Sequence, residues 1–508
     1  MTQDQAAVPD RINRTAITGM VLVAVAFGAF VRLFRLNWQS LWVDEIHTLG
    51  PALHATSVAD AFWNYINLAP TPPFYYLFMM GWTNAFGFSE TTLRLPSALA
   101  GIATIGVFWW GLTRVFDRQT SAVATIFMAL SWPALFYSQE VRGYAAVLLF
   151  TTLAAVLAVK ILKNFDGAPL GAWLFLLGAS VFAAMTHPFG FVINGFLLLY
   201  LFAVALARRR WRLRSFLVGA FLLAAYVPWL VVNLMGAKWV LESPVFSRLG
   251  AGFFVEIGAF LFHHPAPAVL IAIIPLAIGG LAYIGQFRAA LLRGALENPV
   301  VFLPFMLAAP FAFVFLIAQF QPFLYTRYLI VFLPYIYMFF AVVLMSRTWR
   351  NEIFPVGLVF VLGLTAQFWI FRDYYEIAKP QTRELAQYVL SQSNDTTAIV
   401  TGCDPAPPFE CALGSGKATD ADWSKYLFYL NRDQLPAFTV VPDVFYTMAD
   451  LDLLVNRYRA NGVGRVILMG SRGGLAYVAT ATGHMQNNGF ECRPRQFHLA
   501  SAAICTTP

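Results

Sequence analysis

Long apolar runs follow one another up to about Phe371. Eleven approach the roughly 20 residues that a helical membrane crossing needs: 16–36, 96–113, 119–136, 143–159, 170–186, 189–207, 215–235, 267–287, 299–318, 328–346 and 354–371. A further apolar stretch, Pro73 to Phe88, is shorter and opens on Pro72-Pro73, so it predicts an interfacial or re-entrant helix. Beyond Arg372 the spanning pattern stops. Residues 380–508 alternate helical and strand periods in "TRELAQYVLSQ", "TAIVTG", "DWSKYLFYL", "AFTVV", "DLDLLVNRYRANG" and "RVILMG", the pattern of a small α/β domain. The expected fold is a polytopic α-helical membrane domain over 1–371 with about eleven transmembrane helices, followed by an α/β domain over 372–508.

Composition agrees with a bilayer. The chain is 59% hydrophobic and 12% charged, about half the charged fraction of a soluble domain. Aromatics reach 16%, as belts at two interfaces require. The net charge of +8 is no sign of a nucleic-acid partner, because the basic residues border the spans. Loops on the N-terminal side hold fifteen of the 34 Lys and Arg, including the run Arg208 to Arg214. Opposite loops hold seven: Arg32, Arg35, Arg94, Arg142, Lys238, Arg248 and Arg327. If Pro73–Phe88 crossed, every later basic loop would face outward, against the positive-inside rule. The expected protein is therefore multi-pass in the cytoplasmic (inner) membrane, with a cytoplasmic N-terminus. Residues 38–95 form a long external loop, and the C-terminal domain is extracytoplasmic. Arg11 and Arg14 before the first span suit an uncleaved signal anchor.

All four cysteines, Cys403, Cys411, Cys492 and Cys505, lie in the C-terminal part. Clustering in an external domain favours disulfides over free buried thiols. The pairs Cys403–Cys411 and Cys492–Cys505 each close a short local loop. No Cys/His spacing suits zinc.

Polar residues that could carry chemistry gather on one side of the predicted membrane. Asp44 and Glu45 follow the first span among Trp38, Leu41 and Trp42, where burying charge is costly. "YSQEVRGYA" brings Tyr137, Glu140 and Arg142; "THPF" brings His187; "QFQPFLYTRY" brings Tyr325, Arg327 and Tyr328. Each also has a plain structural role available. The pair Asp44-Glu45 can cap the helix that "EIHTL" begins, Glu140 and Arg142 can form an interfacial ion pair, and His187 can bond to backbone. Arg327 and Lys238 can snorkel to headgroups. Arg32 and Arg35 can snorkel or face a cavity.

The blocks "LFRLNWQSLWVDEIHTL", "TPPFYYLFMMGWTNAFGFSETTLRLPSAL", "YSQEVRGYA" and "LYTRYLIVFLP", in that order, resemble the GT-C superfamily of membrane glycosyltransferases. Within it the likeness is to the protein O-mannosyltransferase and aminoarabinose transferase-like group, over roughly residues 16–345. The resemblance implies a polyprenyl-phosphate sugar donor and transfer on the external face. It implies Asp44 as catalytic base, Glu140 as a second acid and Arg327 at the lipid phosphate. "TPP" stands where many relatives have "HPP", so no role passes to Thr71.

The chemistry is consistent with that likeness. An acceptor hydroxyl needs a general base, and Glu45 stands beside Asp44 as another candidate carboxylate. A phosphate leaving group needs fixed cations; Arg327 suits it by its fork, with Arg142 and Lys238 as further candidates. Tyr328 belongs with the donor phosphate, and His187, Tyr137 and Tyr325 with the donor or acceptor. A single base and direct displacement imply inversion. Paired acids can hold Mg²⁺ or Mn²⁺, but the basic residues already offer compensation, so no metal or other cofactor is expected. Expected partners are the lipid-linked donor, membrane lipid and a glycan, lipid or protein acceptor. A flippase for a lipid-linked sugar would use the same cavity without a base; a scaffold would tolerate loss of Asp44.

Overall fold

The structure is a computed structural model. It describes residues 3–42, 44–46, 48–49, 57, 59, 72–208, 213–235, 250, 252–263, 265–321, 323–347, 349, 351, 353–376, 379–394, 396–402, 440–445, 448–471 and 474–506. The chain divides into two compact units. One holds Met1–Leu36, Ala69–Leu241 and Phe246–Asp373; the other holds Asn37–Leu68, Glu242–Val245 and Tyr374–Pro508.

The first unit is helical. A helix occupies each of the eleven predicted stretches: α1 Gln3–Leu33, α3 Glu90–Leu112, the pair α4 Arg118–Ala129 and α5 Trp132–Phe136, α6 Tyr144–Lys163, α7 Leu170–Thr186, α8 Pro188–Ala207, α9 Leu213–Met235, α11 Pro265–Leu292, α12 Pro299–Phe320, α13 Leu333–Met345 and α14 Ile353–Tyr374. Two more, α2 Phe74–Phe86 and α10 Gly252–Phe262, are shorter. Among the described residues six spans are long and apolar enough to cross a bilayer, or seven if a bent pair counts as one. Shorter apolar helices occupy several of the remaining stretches. The protein is a polytopic helical membrane protein. Helix α2, at 13 residues, reaches only about 20 Å, too short for a bilayer of about 30 Å.

The bent pair is α4 with α5 and the 3₁₀ turn Tyr137–Gln139, kinked by 53°. A break inside a bilayer frees carbonyls that lipid cannot hydrogen-bond. Arg32 of α1 takes two of them: Nη1 donates to Ala129 O (3.0 Å) and Nη2 to Met128 O (3.3 Å). Gln367 Nε2 donates to Leu130 O at 2.6 Å. Arg32 is 0% exposed, so it neither snorkels nor faces solvent; it closes the break. Gly28 and Gly101 make room for it. A Cβ at Gly28 would stand 2.6 Å from Ala129 O, and one at Gly101 would stand 2.0 Å from Ser138 Oγ. The chain restarts at Ser131, whose Oγ accepts from the Ala134 amide, with Pro133 in the first turn where no N–H is needed.

The second unit carries a five-stranded sheet in the order β2-β1-β3-β5-β4. Its strands are β1 Thr397–Gly402, β2 Val440–Phe445, β3 Arg465–Ser471, β4 Glu491–Phe497 and β5 Ala500–Thr506. Strands β1, β2 and β3 are parallel; β5 runs antiparallel to β3 and forms a hairpin with β4. Period-2 alternation divides the apolar residues between two faces. Val400, Leu468 and Ala503 pack with Leu451, Tyr458 and Met485, from α16 Met448–Ala460 and α17 Gly474–Asn487. Ile399, Ile467 and Ala502 pack with Leu385 and Val389 of α15 Thr382–Gln392. Cys492 and Cys505 are register partners on β4 and β5 and form a disulfide, as expected. Cys403 and Cys411 lie outside the described residues.

Candidate functional site

In the helical unit, the second loop follows directly from the kinked helix. Gln139 Nε2 donates to the carbonyls of Val31 (2.7 Å), Arg32 (3.3 Å) and Phe34 (3.0 Å), capping the end of α1. This pins the residue before Glu140, which is 1% exposed. Arg142 follows. Its carbonyl accepts from Ser97 Oγ at 3.4 Å, and Ser97 is in turn bonded to Tyr75 OH at 2.9 Å. Its guanidinium lies 5.8 Å from the Tyr144 ring centre.

His187 sits between α7 and α8. Its Nδ1 accepts the Phe189 amide hydrogen at 3.2 Å, so it caps α8 through the ring. With Nδ1 an acceptor, the proton of the neutral ring sits on Nε2, which remains a donor. The ring centre is 5.0 Å from Tyr328 and 5.6 Å from Tyr144. Burial among these rings, then the positive charges of Arg142 and Arg327, push its pKa down to about 3. The ring is therefore neutral at any physiological pH. Sequence offered backbone bonding and a donor- or acceptor-site role as rivals; the structure shows the first and leaves a ring N–H for the second.

Arg327 lies on the 3₁₀ turn Thr326–Phe332 that opens α13. Its guanidinium stands 4.6 Å from the Tyr325 ring centre and 5.8 Å from that of Tyr328. Tyr137 packs edge-on against Tyr144 at 4.7 Å. The helical unit thus brings together Tyr137, Arg142, His187, Tyr325, Arg327 and Tyr328, drawn from three separate sequence blocks. The grouping holds two guanidiniums around a neutral imidazole, walled by aromatic rings. Such a set holds an anion: fixed cations compensate its charge and the ring faces exclude water.

A cavity of about 510 Å³ lies at the opposite helix ends, bordered by Asp117, Lys163, Gln286, Glu297 and Ser346. Its polar groups serve local structure. Asp117 caps α4 through Thr120, Lys163 donates to Val115 O, and Glu297 pairs with Arg208.

Asp44 and Glu45 belong to the other unit. Asp44 is half-buried. Its carbonyl accepts from Thr48 Oγ1 at 3.1 Å. Glu45 is 0% exposed, and its Oε2 meets Lys379 Nζ at 3.1 Å. The same oxygen accepts the Trp42 amide at 3.3 Å, and the Ile46 amide donates to Trp42 O at 3.1 Å. This is capping-box geometry, so Glu45 takes up the capping role that the sequence offered to the Asp44-Glu45 pair. Lys379 is a residue that sequence reasoning missed; its partner lies 334 positions away. Lys238 lies outside the described residues. Among the described residues no group of three or more His, Cys, Asp or Glu could hold a metal ion.

Residues 70–232 match the family described as dolichyl-phosphate-mannose-protein mannosyltransferase. A curated relative, "Putative mannosyltransferase YkcB" of Bacillus subtilis (strain 168), is 25% identical over 195 residues, which is 36% of this chain and 26% of that protein. The chain thus spans about a quarter of that relative's length. The fold is that of ArnT from Cupriavidus metallidurans. The apo structure matches with a TM-score of 0.60 at 14% identity, covering 96% of this chain and 98% of that one. The structure bound to undecaprenyl phosphate matches with a TM-score of 0.57 at the same identity and coverage. The family match spans two of the blocks that carry the resemblance, 71–99 and 137–145, and the likeness in fold extends over nearly the whole chain.

Proposed function

We propose that the protein transfers a sugar from a polyprenyl-phosphate donor to a hydroxyl of an envelope glycan, lipid or protein, with inversion, at the outer face of the cytoplasmic membrane. One observation carries this: Arg327 and His187 both stand against the Tyr328 ring, and Arg142 and His187 both against the Tyr144 ring, a ready place for a lipid phosphate. The undecaprenyl phosphate named for the ArnT structure is a ligand of the same chemistry on the same fold.

Direct displacement balances simply. The acceptor oxygen bonds to the anomeric carbon as the bond from that carbon to the phosphate oxygen breaks. The acceptor proton passes to Asp44, the base that the resemblance implies, and the electron pair leaves with the polyprenyl phosphate. Negative charge grows on the leaving phosphate, so fixed guanidiniums stabilise the transition state more than the ground state. The neutral His187 adds an Nε2–H donor without a competing charge. A phosphate needs little protonation to leave, and the cations supply compensation, so neither a general acid nor a metal is required. Glu140, buried on the second loop, is the second acid.

Mass spectrometry of envelope glycans, lipids and glycoproteins with and without the gene identifies sugar and acceptor. Purified protein with polyprenyl-phosphate donors then tests the phosphate site. Arg327→Ala is expected to weaken donor use by about 2–5 kcal/mol, as for a lost desolvated charge contact. Arg327→Lys should recover it only in part, because an ammonium lacks the fork. Unchanged kcat/KM for the donor in both variants and in Arg142→Ala overturns the assignment.

A further inference from the structure

The first-loop segment on the N-terminal side of Asp44 is held almost residue by residue by the stretch that enters the C-terminal domain. Trp38 Nε1 donates to Tyr375 O at 2.8 Å. Gln39 bridges both ways: Nε2 donates to Tyr374 O at 3.1 Å, and Oε1 accepts the Lys379 amide at 3.0 Å. Ser40 Oγ donates to Glu384 Oε2 at 2.9 Å, and Leu41 O accepts from Thr382 Oγ1 at 3.1 Å. Arg383 Nη1 donates to Asn37 O at 2.9 Å. On the other side of Asp44 stands the buried Glu45–Lys379 pair.

All of these contacts lie within one compact unit. Burying two charges is costly unless they pair and their remaining sites are bonded. Here Glu45 Oε2 also accepts the Trp42 amide, so one carboxylate both pairs with Lys379 and caps the helical turn that carries Asp44. A surface loop needs no such burial for solubility or topology. What the contacts achieve is a fixed backbone at Trp42 and Glu45, the two points that bracket Asp44.

We propose that the Glu45–Lys379 pair, with the hydrogen bonds between 374–384 and 37–41, is a latch by which the entry segment of the C-terminal domain positions Asp44. Lys379 and Glu45 are positioning residues; Asp44 is the group that meets the acceptor. The inference rests on the base role proposed above. It gives the C-terminal domain a part in catalysis that its fold does not announce.

The test uses the full-length protein in nanodiscs with the donor lipid and its acceptor. A base displaced by about 1 Å can cost on the order of 10²-fold in rate. Lys379→Met should lower kcat by ~10- to 100-fold while donor KM stays within about two-fold, since donor contacts lie elsewhere. It should also move the acid limb of the pH–rate profile to higher pH, because removing the lysine's positive charge from beside Glu45 disfavours a second negative charge at Asp44. Lys379→Arg should restore most of the rate, and Glu45→Gln/Lys379→Met should lose less than the two single losses multiplied. Arg383→Ala, on the outer edge of the latch, is a milder variant that keeps the buried pair; a ~3-fold fall in kcat at constant donor KM is expected. Should Lys379→Met not fold, Arg383→Ala and Lys379→Arg decide. Unchanged kcat and pH profile in the folded variants, with Asp44→Asn inactive, overturns the latch alone. Near-normal turnover in Asp44→Asn overturns the base assignment itself and the latch with it.

Discussion

Arg32 Nη1 lies 3.0 Å from the carbonyl oxygen of Ala129, 97 residues further along the chain. A cation is thus buried in the first helix to satisfy the end of another. Removing it leaves Ala129 and Met128 O without this donor where lipid offers none. An unsatisfied buried acceptor costs about 1–3 kcal/mol, partly offset because a buried charge also disappears. Arg32→Met is therefore expected to destabilise the helical unit by about 2–4 kcal/mol. Arg32→Lys should fall between, since an ammonium has no planar fork to span two carbonyls. Thermal unfolding in detergent reads the order, and equal melting of the Met variant and the wild type rejects the role.

The three acids should differ in cost. Asp44→Asn keeps shape and hydrogen bonding but cannot accept the acceptor's proton, so turnover should fall by at least ~10²-fold with donor binding intact. Glu45→Gln can still accept the Trp42 amide and should cost less. Glu140→Gln should fall between them. Single-turnover transfer from purified donor lipid, with folding checked by melting, ranks the three. A well-folded Asp44→Asn protein with near-normal turnover moves the base role to Glu140.

His187 has a calculable effect on stability. Its folded pKa is about 3 against an ordinary 6.5. Between these values the unfolded chain binds a proton that the folded chain refuses, so stability falls as pH drops through that window. Above 6.5 the ring is neutral in both states and contributes no pH dependence. The wild type should therefore lose more melting temperature than His187→Gln between about pH 7.5 and pH 5. Equal losses would show that the ring titrates normally.

The Cys492–Cys505 bridge closes a 13-residue separation. Loop entropy puts its contribution near 3 kcal/mol. Peptide mapping without reduction should recover the pair joined. Replacing both cysteines by Ser should lower the melting transition of the second unit; recovery of both as alkylatable thiols from the oxidised protein contradicts the bridge.

What the sequence determined by itself follows from properties that a local window carries. Uniform apolarity marks helices whichever neighbours they find, so all eleven stretches were legible, as was the short helix after Pro72-Pro73. "TAIVTG" and "TRELAQYVLSQ" were legible because their periods of two and 3.6 match the faces they bury. Strand β4 was not, because "ECRPRQF" is a largely exposed edge strand containing Pro494, with no apolar alternation to see. The candidate site was legible as residue types in order, since acids, His and Arg beside spans are costly and so informative. Their assignments were decided only by tertiary structure. Whether Arg32 reaches water or a broken helix depends on carbonyls freed near Ala129. What neutralises the buried Glu45 depends on a lysine 334 residues away. Local sequence carries no record of such partners, because a charge's environment is set by what the fold brings against it.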